Sequence, residues 1–296
     1  MKVSAVIVTY NNIKMLEMLI SDLYHQTKKL QSIIVVDNAS LDGTKTILKE
    51  RHPNIIYIRL EENLGSAGGY YLGIKEAVQG SDFVWTLDDD VRLNADSLER
   101  LLEGIQKLEP FYKVGAVRST GEKHFASEPT RLEIFPWRGT LIKTKVIIEI
   151  GLPRQEYFLY GEDLEYALRF ARNGYVCFWI PASKCVERRD DGKKKSKILT
   201  RQFKVYATPF RLYYAFRNEI AIYIEYRELR CLFKTLLYAG KLMSYFLVCA
   251  RSEKMDKVKA IFTGIVDGYF SYLGKNYKYQ PTPIFSDTST FIKDKI

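Results

Sequence analysis

Short apolar runs, each closed by polar residues or glycine, recur through the first 180 residues. The clearest are 3–9, 33–37, 55–59, 82–87, 114–118 and 175–180. They are unbroken rather than alternating, as expected of strands covered on both faces of a parallel sheet. Between them, 13–26, 44–51, 70–79 and 94–109 carry apolar residues at helical spacing, and Leu164, Leu168 and Ala171 do the same. Strand and helix alternate, which predicts an α/β fold with a doubly wound, mostly parallel sheet. After Pro181 the pattern changes. Residues 209–226 and 228–250 read as long helices, the first rich in aromatics, and 277–296 as a Pro-containing polar tail that wraps the surface or is loose. The expected division is residues 1–190 as one α/β unit and 191–296 as a helical region.

Open α/β sheets bind ligands at the carboxyl ends of their strands. Thr9-Tyr10-Asn11, Asp37 and Asp88-Asp89-Asp90 all follow such ends. Three adjacent carboxylates repel one another, and hard cations such as Mg²⁺ and Mn²⁺ prefer oxygen ligands. The run is therefore either a site for a metal-bound diphosphate or a solvated acidic turn before the helix. Asp37 is a hydrogen-bond acceptor for a base or ribose, or simply a turn residue. The bend from Asn63 through Gly65 to Gly69 lets backbone approach a ligand closely. It is neither a Walker loop nor a GxGxxG turn.

Two further stretches carry chemistry. In Phe135-Pro136-Trp137-Arg138-Gly139, a sugar ring has Trp137 to stack on and a phosphate has Arg138 to meet; a buried Trp in a strand fits equally well. Glu162-Asp163 open the helix that holds Leu164 and Leu168. Acids are favoured at a helix start by its dipole, and a carboxylate placed there also suits a general base.

The net charge of +10 is unevenly placed: residues 181–296 carry +12 and residues 1–180 carry −2. The basic half points to nucleic acid, an anionic membrane or a phosphate-bearing substrate. Four scattered cysteines, Cys177, Cys185, Cys231 and Cys249, make neither a zinc site nor a disulfide framework, and a reducing compartment fits them. The apolar start reads as the first core strand rather than a signal peptide.

These motifs, in this order, resemble the family 2 glycosyltransferases of the GT-A fold. The matching residues are Val8-Thr9-Tyr10-Asn11, Val36-Asp37-Asn38-Ala39-Ser40, the bend 63–69, Asp88-Asp89-Asp90 and Gly161-Glu162-Asp163. That bend, the triple Asp and Tyr213-Tyr214-Ala215-Phe216-Arg217-Asn218 are similar to the galactofuranosyl- and rhamnosyltransferase branch. The resemblance implies that Thr9, Tyr10, Asn11 and Asp37 hold the base and ribose, with Asn63, Gly65, Asp88 and Asp89 around the nucleotide. It implies that Asp90 and Asp88 hold Mn²⁺ or Mg²⁺ on the diphosphate, that Asp163, beside Glu162, is the base, and that Trp137 and Arg138 lie in the sugar and acceptor pocket. One departure stands out: the position where members often carry a metal-binding His is Glu187, followed by Arg188 and Arg189. Either Glu187 ligates the cation or an Arg neutralises the phosphate.

The expectation is an inverting transferase using a nucleotide-diphosphate sugar, UDP-galactofuranose first and dTDP-rhamnose second, on a polysaccharide or lipid-linked acceptor. A non-catalytic nucleotide-sugar or nucleic-acid-binding protein is the alternative; nucleic acid fits the acidic clusters poorly, and a homo-oligomer is possible. Residues 231–250 are the most apolar stretch but contain Lys234 and Lys241. Each Lys within a membrane span would cost about 2.5–3.5 kcal/mol. A helix lying on an anionic bilayer, or packed on a partner or in the chain's own core, fits better. A cytoplasmic protein, peripheral at the inner face of the membrane, is the expected location.

Overall fold

The computed structural model describes residues 1–121, 126–187, 208–249 and 253–279. The first third alternates β1 (Val3–Thr9), α1 (Ile13–Tyr24), β2 (Ser32–Asp37), α2 (Thr44–Arg51), β3 (Ile56–Arg59), α3 (Gly65–Ala77) and β4 (Phe83–Asp88). Then come β5 (Val91–Leu93), α4 (Ser97–Leu108), β6 (Val114–Thr120), β7 (Thr130–Leu132), β8 (Thr140–Lys143), α5 (Thr144–Ile150), α6 (Glu162–Arg172) and β9 (Val176–Glu187). Three long helices follow: α7 (Pro209–Glu225), α8 (Leu229–Cys249) and α9 (Lys254–Tyr269). The sheet order is β3-β2-β1-β4-β8-β6-β9-β5, with β7 on β9. The half from β3 to β4 is parallel, and β8 joins it to β6 through antiparallel pairs on both sides. The unbroken apolar runs follow from this: Ala5 and Ile7 pack into one apolar layer, Val6 into the other.

Three differences from the sequence pattern have physical causes. The glycines of 63–69 do not form a bend ahead of a helix; from Gly65 onward they are the helix. A Cβ on Gly69 would lie 2.5 Å from Val8, and one on Gly73 2.4 Å from Val6, so these glycines let α3 press onto β1. Gly65 has φ +72°, and its Cβ would meet the Phe158 carbonyl at 1.8 Å. That close approach is to the chain itself, not to a ligand. Second, β9 does not stop at Pro181. The ladder with β6 slips between Ile180 and Lys184, and the proline, which has no N–H to donate, sits in that irregularity. The strand then continues on β5, with Glu187 opposite Val91. Third, residues 135–139 are a turn, and only Thr140–Lys143 is strand. The charged loop 190–197, Arg188, Arg189 and the tail from 280 lie outside the described residues.

The helical region is tied to the loop before α6. Thr208 caps α7 and Pro209 opens it. One turn of this helix presents Arg217 and Asn218, both buried. The Asn218 amide NH₂ faces the carbonyls of Tyr157, Leu159 and Tyr160 at 2.9, 2.9 and 2.6 Å. Arg217 donates to Tyr157 O at 2.8 Å and orients Asn218 through its Oδ1, also at 2.8 Å, while its guanidinium lies 4.6 Å over the Tyr214 ring. The loop needs this grip: Phe158 and Tyr160 both have positive φ, +63° and +64°, a region costly for residues with a Cβ. Asn218→Ala removes the NH₂ donor from the Leu159 and Tyr160 carbonyls, while Tyr157 O keeps Arg217. It should lower the unfolding free energy by about 2 kcal/mol, read as a lower urea midpoint at unchanged slope. Asn218→Asp, which keeps the shape but loses the NH₂ group, should not rescue it.

Candidate active site

The parallel register brings the polar strand ends together. Thr9 pairs with Asp37, and Val8 with Asp88. A cleft of about 460 Å³ opens there. Thr9, Tyr10, Asn38 and Asp88–Asp90 form one side; Asn63, Gly65, Ser66 and Tyr70 form the start of α3; residues 158–160 with Phe210 and Arg211 form the rest.

The three aspartates face different surroundings. Asp89 accepts the Thr9 hydroxyl at 2.6 Å and the Asn12 amide at 2.8 Å, which latches β4 to the β1–α1 turn. Burial pushes its carboxyl up to about 7, against the pull of those two hydrogen bonds. Asp88 accepts the Tyr70 hydroxyl at 2.9 Å, and burial raises its pKa. Asp90 is pushed up to about 6, first by burial and then by the charges of Asp88 and Glu187. Asp88 and Glu187 thus raise the cost of ionising Asp90, and Glu187 that of ionising Asp88. They offer hard oxygen donors of the kind Mg²⁺ and Mn²⁺ take. Among the described residues, no three His, Cys, Asp or Glu side chains already stand as a formed metal cage. The Glu187 carboxylate instead holds Arg138 at 2.9 Å.

Asp37 is fully buried and engaged: Tyr57 and Arg59 donate to it at 2.6 Å each, and the Ser40 N–H at 2.8 Å. It does not line the cleft; it sets the shape of the β2 loop beneath. Asn11, at φ +52°, does similar work, since its side chain accepts the Leu41 N–H at 2.7 Å. Asn63 lines the cleft and caps the Gly65 N–H at 2.7 Å.

Glu162 and Asp163 open α6 behind Ser66. The Ser66 hydroxyl donates to Glu162 Oε1 at 2.5 Å and the Trp137 indole N–H at 3.3 Å, while Oε2 is buried without a partner. Both carboxyls titrate above their ordinary range. Burial is the chief cause; for Glu162 the charge of Asp163 adds to it, and for Asp163 the Asp88 charge adds while the Leu164 N–H and Arg118 oppose it. Trp137 is not an open platform. It is buried, stacked on Tyr70 at 4.9 Å, and reaches the site only through its N–H. A sugar ring has no free face on it in this conformation.

Sequence patterns missed four contributors: Ser66, Tyr70, Asn12 and Arg118. Ser66 and Tyr70 stand four apart on α3, a face readable only once the glycines are taken as helix. Arg118 is a charge inside the wholly buried β6, the one available signal. Its Nε donates to Arg138 O at 3.0 Å, its guanidinium lies 4.1 Å over Trp179, and burial lowers its pKa to about 10.

Proteins similar to this chain carry glycosyltransferase names. Over 199 residues the chain is 26% identical to galactofuranosyltransferase GlfT1 of Mycolicibacterium smegmatis, a match covering 58% of this chain and 66% of that relative, just under two-thirds of its length. It is 24% identical over 288 residues to dTDP-rhamnosyl transferase RfbF of Shigella flexneri, covering 89% and 94%. The crystal structure of S. aureus TarS 1–349 in complex with UDP superposes with a TM-score of 0.60 at 16% identity, over 91% of this chain and 81% of that one. The description Glycosyl transferase family 2 matches residues 4–155, more than half of the sequence. The chain belongs to glycosyl transferase family 2 and has the GT-A fold.

Proposed function

We propose that this chain is an inverting, metal-dependent glycosyltransferase, with UDP-galactofuranose as donor and a surface polysaccharide or lipid-linked glycan as acceptor. A dTDP-rhamnose donor is the second reading, favoured by the longer match to RfbF. The site of action is the inner face of the cell membrane. One observation carries the reading: a single cleft gathers Thr9, Tyr10 and Asp88–Asp90 at the strand ends, with Ser66 in its wall bonded to Glu162, the neighbour of Asp163.

Within this reading Tyr10 and Asn63 face the nucleoside, over a loop floor held by Asp37 and Asn11. Asp88 and Asp90, with Glu187 once it leaves Arg138, hold Mn²⁺ or Mg²⁺. A bound cation there stabilises the leaving diphosphate as a Lewis acid. Arg138 and Arg118 add positive charge on the same side. Asp163 takes the proton from the attacking acceptor hydroxyl, and its raised pKa makes it a stronger base than an exposed aspartate. Glu162, fixed by Ser66 and Trp137, orients the start of α6. A single displacement with one base inverts the anomeric centre. Residues 1–190 supply the donor site, and the helical region from 191 holds its far wall.

Thermal shift tests the nucleotide and the metal together. UDP should raise the melting temperature, Mn²⁺ should enlarge the rise, and dTDP should give less. No shift with either nucleotide, with or without metal, would overturn the reading; a larger shift with dTDP would select the second donor.

The metal effect should depend on pH. Asp90 and its neighbours bind protons more tightly in the fold than in the unfolded chain, so their burial costs stability as pH rises and they ionise. Mn²⁺ should offset that cost, so its stabilisation should grow from pH 5 to pH 8. Asp90→Ala should flatten that growth while leaving the metal-free melting temperature equal or higher.

Asp163→Asn should cut kcat by about 100- to 10,000-fold, the usual worth of a general base, with the UDP shift retained. In the wild type, activity should fall as pH drops through the raised carboxyl pKa, at a higher pH than an exposed aspartate would give. Turnover unchanged in Asp163→Asn would remove the base assignment while leaving the nucleotide site standing.

A further inference from the structure

The helix α8 (Leu229–Cys249) presents two unlike faces. Thr235, Ala239, Leu242 and Phe246 are buried, and the last three pack in one apolar cluster with Tyr213 of α7 and Ile261 of α9. On the other side Leu229, Phe233, Leu236, Leu237, Leu247 and Val248 are 41–78% exposed. Their spacing, with Gly240 and Ser244 between, keeps them within an arc of about 120° along the whole helix. Apolar surface this extensive on one helix marks a contact with something other than water.

Charge says what that something is. Arg230, Lys234 and Lys241 are exposed and fall along one border of the stripe, and α8 contains no Asp or Glu. The acids near its ends have partners of their own: Glu228 pairs with Arg172 at 3.6 Å, and Glu253 with Lys257 at 3.5 Å. A second copy of the chain would bring another helix with no carboxylate to meet these cations. An anionic bilayer offers both the apolar interior and the negative headgroups.

The helix is long and apolar enough to cross a membrane, with mean hydropathy 1.3 over Leu229–Val248. Its inner face, however, packs on α7 and α9 of the same chain, so lipid cannot surround it. A helix packed on one side and apolar with a basic border on the other lies in the plane of the interface.

We propose that the outer stripe of α8 docks this enzyme on an anionic membrane surface, with Phe233, Leu236 and Leu237 inserted and Arg230, Lys234 and Lys241 at the headgroups. The surface stands independently of the donor and acceptor proposed above, although it suits an acceptor carried on lipid.

Sedimentation of the full chain with vesicles tests this. With vesicles of equal parts phosphatidylcholine and phosphatidylglycerol the protein should pellet, and with phosphatidylcholine alone it should stay largely in solution. Phe233→Glu and Leu237→Glu should each weaken the partition by roughly tenfold or more. Lys234→Gln and Lys241→Gln should each weaken it by about fivefold and reduce its sensitivity to salt. Circular dichroism and the UDP-induced thermal shift, read on the same variants, should not change, because these side chains face away from the core. Three outcomes would overturn the proposal. One is no pelleting with anionic vesicles. Another is a dimer in sedimentation equilibrium that Phe233→Glu dissolves, which would make a second copy the occupant. The third is resistance to alkaline carbonate extraction, which would make α8 a span.

Discussion

Crowded carboxylates set the terms for this structure. Asp88, Asp89, Asp90, Glu162, Asp163 and Glu187 come from three separate parts of the chain, and burial raises the pKa of each of the first five. Left to itself such a cluster would open and hydrate, because desolvation and mutual repulsion act in the same direction. What surrounds it can be understood as the means of keeping it closed. Thr9 and Asn12 hold Asp89, Tyr70 holds Asp88, Ser66 and Trp137 hold Glu162, and Arg138 holds Glu187. Among the described residues, Arg118 and Arg138 bring compensating charge to these carboxylates, and Arg211 lines the same cleft. Arg118 is itself shifted toward neutrality, a sign that cations as well as anions are poorly solvated here. A bound divalent cation would convert the repulsion into ligation, which explains why a fold would retain such a costly arrangement.

The supports come from far away in sequence. The β9 strand reaches Glu187 only because its ladder slips at Pro181, and that slip moves its end from β6 to β5, directly after the aspartate run. The loop before Glu162 is held by Asn218 and Arg217, some sixty residues later in the chain. Phe158 in that loop in turn receives the Ala67 N–H at 3.2 Å and blocks any side chain at Gly65. The start of α3, the loop and α7 therefore form one packed unit around the far wall of the cleft. The helical region completes the site rather than decorating it.

This explains which parts were legible in the sequence. The strands β1 to β4, β6 and the first part of β9 and the strand-end cluster were readable, because parallel strands buried on both faces leave unbroken apolar runs and their polar ends fall at the carboxyl edge; the three-residue β5 and β7 were too short to leave such a run. Thr44–Arg51 was read to the residue. The 63–69 glycines were misread, because glycine serves a tight turn and a close helix–strand contact equally, and only the neighbours Val6 and Val8 decide between them. Asp37 and Trp137 illustrate a related limit. Their place near the site was visible, but Tyr57, Arg59 and Tyr70, which occupy them, come together only in three dimensions. Glu187 was found by position, while its pairing with Arg138 was not, since no local spacing links them.

Charge segregation follows from the same constraint. A cluster of costly carboxylates gains nothing from more acid nearby, and the donor it would serve is itself an anion. The first 180 residues carry −2 and the remainder +12. Of that remainder, Arg230, Lys234 and Lys241 lie exposed beside the apolar stripe of α8, where an anionic partner can use them. Arg217 shows what happens to a cation drawn inward instead. Buried in the helical region, it spends its donors on the carbonyls of Tyr157 and Gly274 and on Asn218, and it acts as scaffold rather than as charge. Exposed Lys234 and Lys241 keep the other role. The division between inward cations that shape the loop and outward ones that meet a surface is drawn by burial alone.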